Sequence, residues 1–181
     1  AIELIPFGNR VRQNGRMEVP GREVVTRMID FGDGPLKAIR FTWGDVFTAY
    51  YSTGIPNIED YIVLSESMQR QMSMLDYLSP LFKLGMVRSF LKKRIKPGPT
   101  EGDRDLTFTN VWGEVEDDRN QRAVARLKGP EAGVIWTARA ALAAVKKILA
   151  GNAPPGYHTP AMAFGADFVL ECEGVTRKDL I

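Results

Sequence analysis

The chain has 181 residues, enough for a single core that removes roughly 70% of the unfolded surface from water, so no disulfide staple is required. Hydrophobic residues make up 44% and charged residues 25%, an ordinary globular balance that excludes disordered, collagen-like and coiled-coil classes. A net charge of +2 is too small and too scattered to mark a nucleic-acid surface, and the lone cysteine, Cys172, excludes an internal disulfide or an all-cysteine metal cage.

No run approaches the length of a membrane span, and the N-terminus lacks the basic and apolar regions of a secretory signal, so the expectation is a soluble, cytoplasmic protein. Ala1–Phe7 reads AIELIPF, with no initiator Met and already in mid-element, so the chain reads as one domain, residues 1–181, from a longer protein.

Glu23–Phe31 is rich in β-branched and large apolar residues and is punctuated by Gly32, Asp33, Gly34 and Pro35, which predicts a strand and a turn. Leu36–Trp43 is the returning strand, with Ile39 and Phe41 on one face. Asp45 is placed to N-cap a short helix running through Ser52, and Gly54 supplies its left-handed stop. Ile55–Ser65 reads as extended, with Pro56 limiting its start. From Ser67, Met68, Met72 and Leu75 recur at helical spacing, and Leu81–Ile95 reads as a second helix with basic polar positions. Pro97 and Pro99 end it.

Leu106–Glu116 and Ala123–Leu127 predict a hairpin around Asp117–Asn120, with Ala123, Ala125 and Leu127 toward a buried side. Ile135–Ala150 is the clearest helix, its apolar face formed by Ile135, Ala138, Leu142, Val145 and Leu149. Lys146 and Lys147 suit its C-terminal dipole, and Gly151 its cap. Thr159 and Pro160 have the N-cap and first-turn chemistry of a last helix reaching about Leu170. The class is α+β: a mixed, largely antiparallel sheet covered by helices.

The chemistry of familiar motifs is absent. Gly32 and Gly34 are followed by Lys37 where a dinucleotide fingerprint needs a third glycine, and they sit in a hairpin turn. Gly151 and Gly156 have phosphate-loop spacing, but Tyr157 and His158 follow where Lys and Ser or Thr are required. One histidine precludes a multi-histidine metal site, and Asp117 and Asp118 belong to a solvent turn.

Three segments stand out: WGDVFTAYYSTGIPNIEDY at Trp43–Tyr61, NVWGEVEDD at Asn110–Asp118 with the following ARLKGPE, and PPGYHTPAMAFGADF at Pro154–Phe168. In order and spacing they resemble the C-terminal half of saccharopine dehydrogenase-like oxidoreductases, near the branch of trans-acting enoyl reductases, over nearly the whole chain. The resemblance implies a substrate-binding and dimerisation domain that follows an N-terminal Rossmann domain holding NAD(P). That Rossmann half is missing from this sequence, so this chain binds no cofactor and is inactive alone.

Within the first motif the resemblance singles out Asp45, Thr48, Tyr50, Tyr51 and Asn57 as substrate-side residues, their hydroxyl and amide groups suited to a polar small molecule. His158 is the candidate proton donor and Thr159 its neighbour at the last helix. Expected partners are a second copy, the Rossmann domain and a small-molecule substrate, with no nucleic acid and no metal. The dimer surface is expected on the Met68–Ile95 helices. The competing reading is a stand-alone ligand-binding or membrane-surface module with no redox activity.

Overall fold

The computed structural model describes residues 10–21, 23–65 and 107–180. The chain is α+β, as the element pattern predicts, with its strands distributed among small antiparallel sheets of two, three and three strands among the described residues. It divides into two compact units, residues 1–28 with 37–98 and residues 29–36 with 99–181. The predicted Met68 and Leu81–Ile95 helices, and the Ala1–Phe7 segment, lie outside the described residues.

In the first unit, β1 (Val11–Gln13) and β2 (Arg16–Glu18) form a hairpin with Val11 opposite Glu18. Asn14 and Gly15 turn it with φ of 50° and 76°, the paired positive angles of a turn whose twist matches the strands. Next come β3 (Thr26–Asp30) and β4 (Pro35–Arg40), and β4 pairs antiparallel with β5 (Tyr61–Ile62). The long extended segment expected from Ile55 is reduced to that two-residue strand and one isolated bridge between Ile58 and Arg12.

Helix α1 (Asp45–Thr53) lies where the sequence places it, stopped by Gly54 at φ 73°, whose N–H returns to the Tyr50 carbonyl. Its start differs from expectation. Asp45 is the first helical residue and makes no capping bond; Gly44 holds the cap position. Val46 is the fully buried residue of this helix, and Val11, Ala38 and Ile39 are also buried in this unit.

In the second unit, β6 (Phe108–Glu116) and β7 (Arg122–Pro130) pair over their whole length, and β8 (Thr176–Asp179) adds to β7. The turn is closed by Asp117, whose carboxylate accepts from Arg119 N and Gln121 N at 2.8 Å each, so this acid is a structural clasp. Strand β7 extends three residues past the predicted Leu127, and Ala123 at its start is exposed; only toward Gly129 does that side become buried.

The tip of the β3–β4 hairpin, residues 29–36, belongs to this unit. There Arg126 donates from Nε to the Asp30 carbonyl at 2.8 Å and pairs with the Asp30 carboxylate at 2.9 Å. The Gly32 N–H first, then Gly34 N–H and Arg126, hold that carboxyl below its usual range.

A π-helical turn (Ala132–Trp136) leads into α2 (Thr137–Leu149). Glu131 caps the turn, accepting from Gly133, Val134 and Ile135 N–H groups at 2.7, 2.9 and 3.4 Å. The turn inserts an i+5 bond, Trp136 N to Glu131 O at 2.9 Å, which shifts the helical phase. Trp136 therefore faces the sheet, and the core gathers around it: Cys172 and Val175 buried, with Leu127, Ala140 and Val169 packed alongside. Consequently the face predicted to be buried, Ala138, Leu142, Val145 and Leu149, is the exposed one. Helix α2 ends as expected: Gly151, at φ 76°, and Asn152 return their N–H groups to the Ile148 and Lys147 carbonyls at 3.0 Å each.

Helix α3 (Pro160–Phe164) begins with Thr159 Oγ1 accepting from Met162 N at 3.3 Å. It is shorter than predicted, because Gly165 at φ 90° breaks it and a 3-10 segment (Ala166–Glu171) continues to β8.

Candidate functional site

The first resembling motif builds a closed local structure around α1. The cap that Asp45 was expected to supply comes from Asp60, fifteen positions later in sequence. One Asp60 carboxylate oxygen accepts from Trp43 N at 3.2 Å, and the Val46 N–H also bonds this carboxylate. The Asp60 carbonyl in turn accepts from Phe41 N at 2.9 Å. Partial burial, and next the Asp45 charge, push the Asp60 carboxyl up to about 6, while the Trp43 and Val46 N–H groups oppose the rise. An acid thus sits at the helix entrance with a proton it can exchange near neutral pH.

Arg12 closes the other side of the motif. It is 6% exposed and gives hydrogen bonds to the carbonyls of Val46, Gly15 and Phe47 at 3.0, 2.7 and 3.0 Å. Its guanidinium carbon stands 4.6 Å from the Tyr50 ring centroid and 5.7 Å from that of Tyr51. The two tyrosines meet edge to face at 5.6 Å. Arg12 therefore ties the β1–β2 hairpin to α1 and fixes Tyr50 against Gly15.

The remaining predicted site residues are engaged locally. Thr48 Oγ1 donates back to the Gly44 carbonyl at 3.2 Å, and Asn57 Oδ1 accepts from Asn14 N at 2.8 Å, holding the hairpin turn. In the first unit the structure thus brings Tyr50 and Tyr51 together around Arg12, and Asp45 beside Asp60. His158 and Thr159 belong to the second unit. His158 Nε2 lies 3.0 Å from the Pro155 carbonyl, a contact that uses the Nε2 proton, and Thr159 caps α3.

What the motif leaves uncovered is aromatic. Phe47 and Tyr51, four residues apart on α1, and Trp43, two residues before the helix, are all exposed, Tyr51 by 69%. Sequence reasoning named Tyr51 but missed the group, and it also missed Asp60 and Arg12. Asp60 lies inside the motif, fourteen residues past the Val46 N–H that it caps; Arg12 lies in a stretch that offered only the Asn14–Gly15 turn as a signal.

Among the described residues, a dinucleotide does not fit the entrances of α1 and α2. The start of α1 carries the Asp60 carboxylate beside Asp45, and the turn into α2 carries Glu131 on three N–H groups, so each would repel a pyrophosphate. Among the described residues there is no cluster of His, Cys, Asp and Glu able to hold a metal ion, and no helix long and apolar enough to cross a membrane. Cys172 is no activated nucleophile: burial, and then the Glu171 charge, raise its pKa. Comparison of the chain with protein-family models, with curated proteins and with solved structures gives no match.

Proposed function

We propose that this chain is the substrate-binding and dimerisation half of a saccharopine dehydrogenase-like, NAD(P)-dependent oxidoreductase. Its cofactor belongs to a Rossmann domain outside this sequence. The observation that carries the reading is the uncovered aromatic group on and just before α1, inside the most distinctive of the three resembling motifs. Folding gains nothing from leaving Trp43, Phe47 and Tyr51 in water, whereas a cleft that receives an organic substrate needs such rings.

The chemistry around these rings agrees with that use. Asp60 can give or take a proton near neutral pH, Tyr50 and Tyr51 offer hydroxyls, and Arg12 holds the tyrosines in place. NAD(P) supplies the hydride when bound, and this chain's own residues position the substrate and move the proton. A reducing, cytoplasmic setting suits the reading, with Cys172 left as a thiol.

The test extends the chain upstream in its own reading frame. The extended protein is expected to contain a strand followed by G-x-G-x-x-G and to bind NADPH saturably, while the present chain does not. An extended protein without that turn and without NADPH binding overturns the reading, as does saturable NADPH binding by the present chain.

A further inference from the structure

A groove of about 460 Å³ runs between α2 and the segment leading into β8, a volume in the range of small-ligand sites. At about 100° per residue, Arg139, Leu142, Ala143, Lys146 and Ala150 fall on one side of α2 and its C-terminal cap, so this wall sets cations among apolar side chains. Ala143 and Ala150 leave open the space that longer side chains would fill. The other wall is Glu171, Cys172 and Glu173.

The charges do not cancel. Three cations, Arg139, Lys146 and Lys147, line the groove with two acids, Glu171 and Glu173, which leaves one positive charge over. The pairings show which one. Lys147 is held by Glu171 at 2.8 Å and by the Phe164 ring at 5.7 Å. Arg139 donates to the Glu173 carbonyl at 2.7 Å and faces that residue's carboxylate at 3.8 Å. Lys146 is exposed, and among the described residues neither its ammonium nor the side-chain amide of Asn152, which lines the same groove, has a partner.

That balance selects the ligand. An organic cation would have to break one of the two ion pairs to find an acid. A phosphate brings up to two negative charges at neutral pH against one spare cation and two neighbouring acids. A monocarboxylate brings the one charge that the groove lacks, and its carbon chain can lie against Leu142, Ala143 and Ala150.

We propose that this groove binds an organic monocarboxylate with an aliphatic body, its carboxylate on Lys146 with the Asn152 amide as a second donor. All of these residues belong to the second unit. The site is separate from the substrate role given to the residues around α1, and it stands or falls without the oxidoreductase reading.

Calorimetric titration of the chain with octanoate should saturate, and amide NMR should place the shifts on residues 139–152 and 171–173. Octylammonium, with the same chain and the opposite charge, should bind about tenfold more weakly or not at all. Lys146→Gln, at an exposed position, should weaken octanoate about tenfold, and Ala150→Leu, also exposed, should block it by filling the groove. Glu171→Gln removes an acid and frees Lys147, so it should tighten binding by about two- to fivefold. Unchanged circular dichroism shows that each variant folds. Failure of octanoate to saturate, equal binding of octylammonium, or parent-like affinity in both Lys146→Gln and Ala150→Leu overturns the proposal. Shifts confined to α1, or displacement of octanoate by equimolar inorganic phosphate, would do so too.

Discussion

Gly129 of β7 lies directly beneath the ring of Trp136: a Cβ at that position would stand 2.8 Å from both Cε3 and Cζ3 of the indole. The missing side chain is what lets the indole close over the strand and form the centre of the second unit's core. Gly129→Ala should therefore cost about 1–3 kcal/mol, since the ring is buried and has to shift bodily. Urea unfolding followed by tryptophan fluorescence measures it, and an unchanged midpoint would show that the ring moves freely.

Asp60 makes stability depend on pH. Its carboxyl titrates at about 6 in the folded chain against 3.8 when unperturbed, so the folded state holds the proton more tightly than the unfolded state. The stabilisation is complete below about pH 4, is lost as pH rises through 6, and stays lost above. Discounted for the partial exposure of the group, the loss is about 1–2 kcal/mol. Asp60→Asn keeps a capping oxygen and removes the charge, so it should flatten the profile and be more stable than the parent at pH 7. Urea midpoints from pH 4 to pH 8 decide the matter.

Arg12 spans three carbonyls with one planar group, which a lysine cannot do. Arg12→Lys is expected to lower stability by about 1–3 kcal/mol. Tyr50→Phe, which keeps the ring over the guanidinium, should change it by less than about 0.5 kcal/mol. Equal losses in the two variants would mean that the tyrosine hydroxyl, rather than the guanidinium, carries the clamp.

Tyr51 separates function from folding. With its ring largely in solvent, Tyr51→Ala should leave the urea midpoint within about 0.5 kcal/mol of the parent. In the extended, NADPH-binding protein the same change should raise KM for the substrate. An unaltered KM would remove this aromatic group from the substrate cleft.

The α+β class, the β6–β7 hairpin, α1 with its Gly54 stop and the Gly151 cap of α2 were legible because each depends on neighbours in sequence. The Asn14–Gly15 turn carried an equally local signal and went unread. The cap of α1 was misassigned to Asp45 because a carboxylate returning from Asp60 is a tertiary contact that periodicity does not encode. The buried face of α2 was inverted for a related reason. The pattern of Leu142, Val145 and Leu149 is amphipathic on either reading, and the orientation was decided by one π-helical turn and by the room above Gly129. Of the candidate site, the tyrosines were read from the motif, while Arg12 and Asp60, which organise them, became visible only in three dimensions.

Cys172 is the chain's single cysteine and lies 3% exposed among Trp136 and Val175. Cys172 also lines the groove beside α2, so the rate at which a thiol reagent modifies the native protein reports how readily that groove and the cluster behind it open. The molecule thus contains its own chemical clock, one reactive atom whose labelling converts the breathing of a core into a mass change, with no probe introduced.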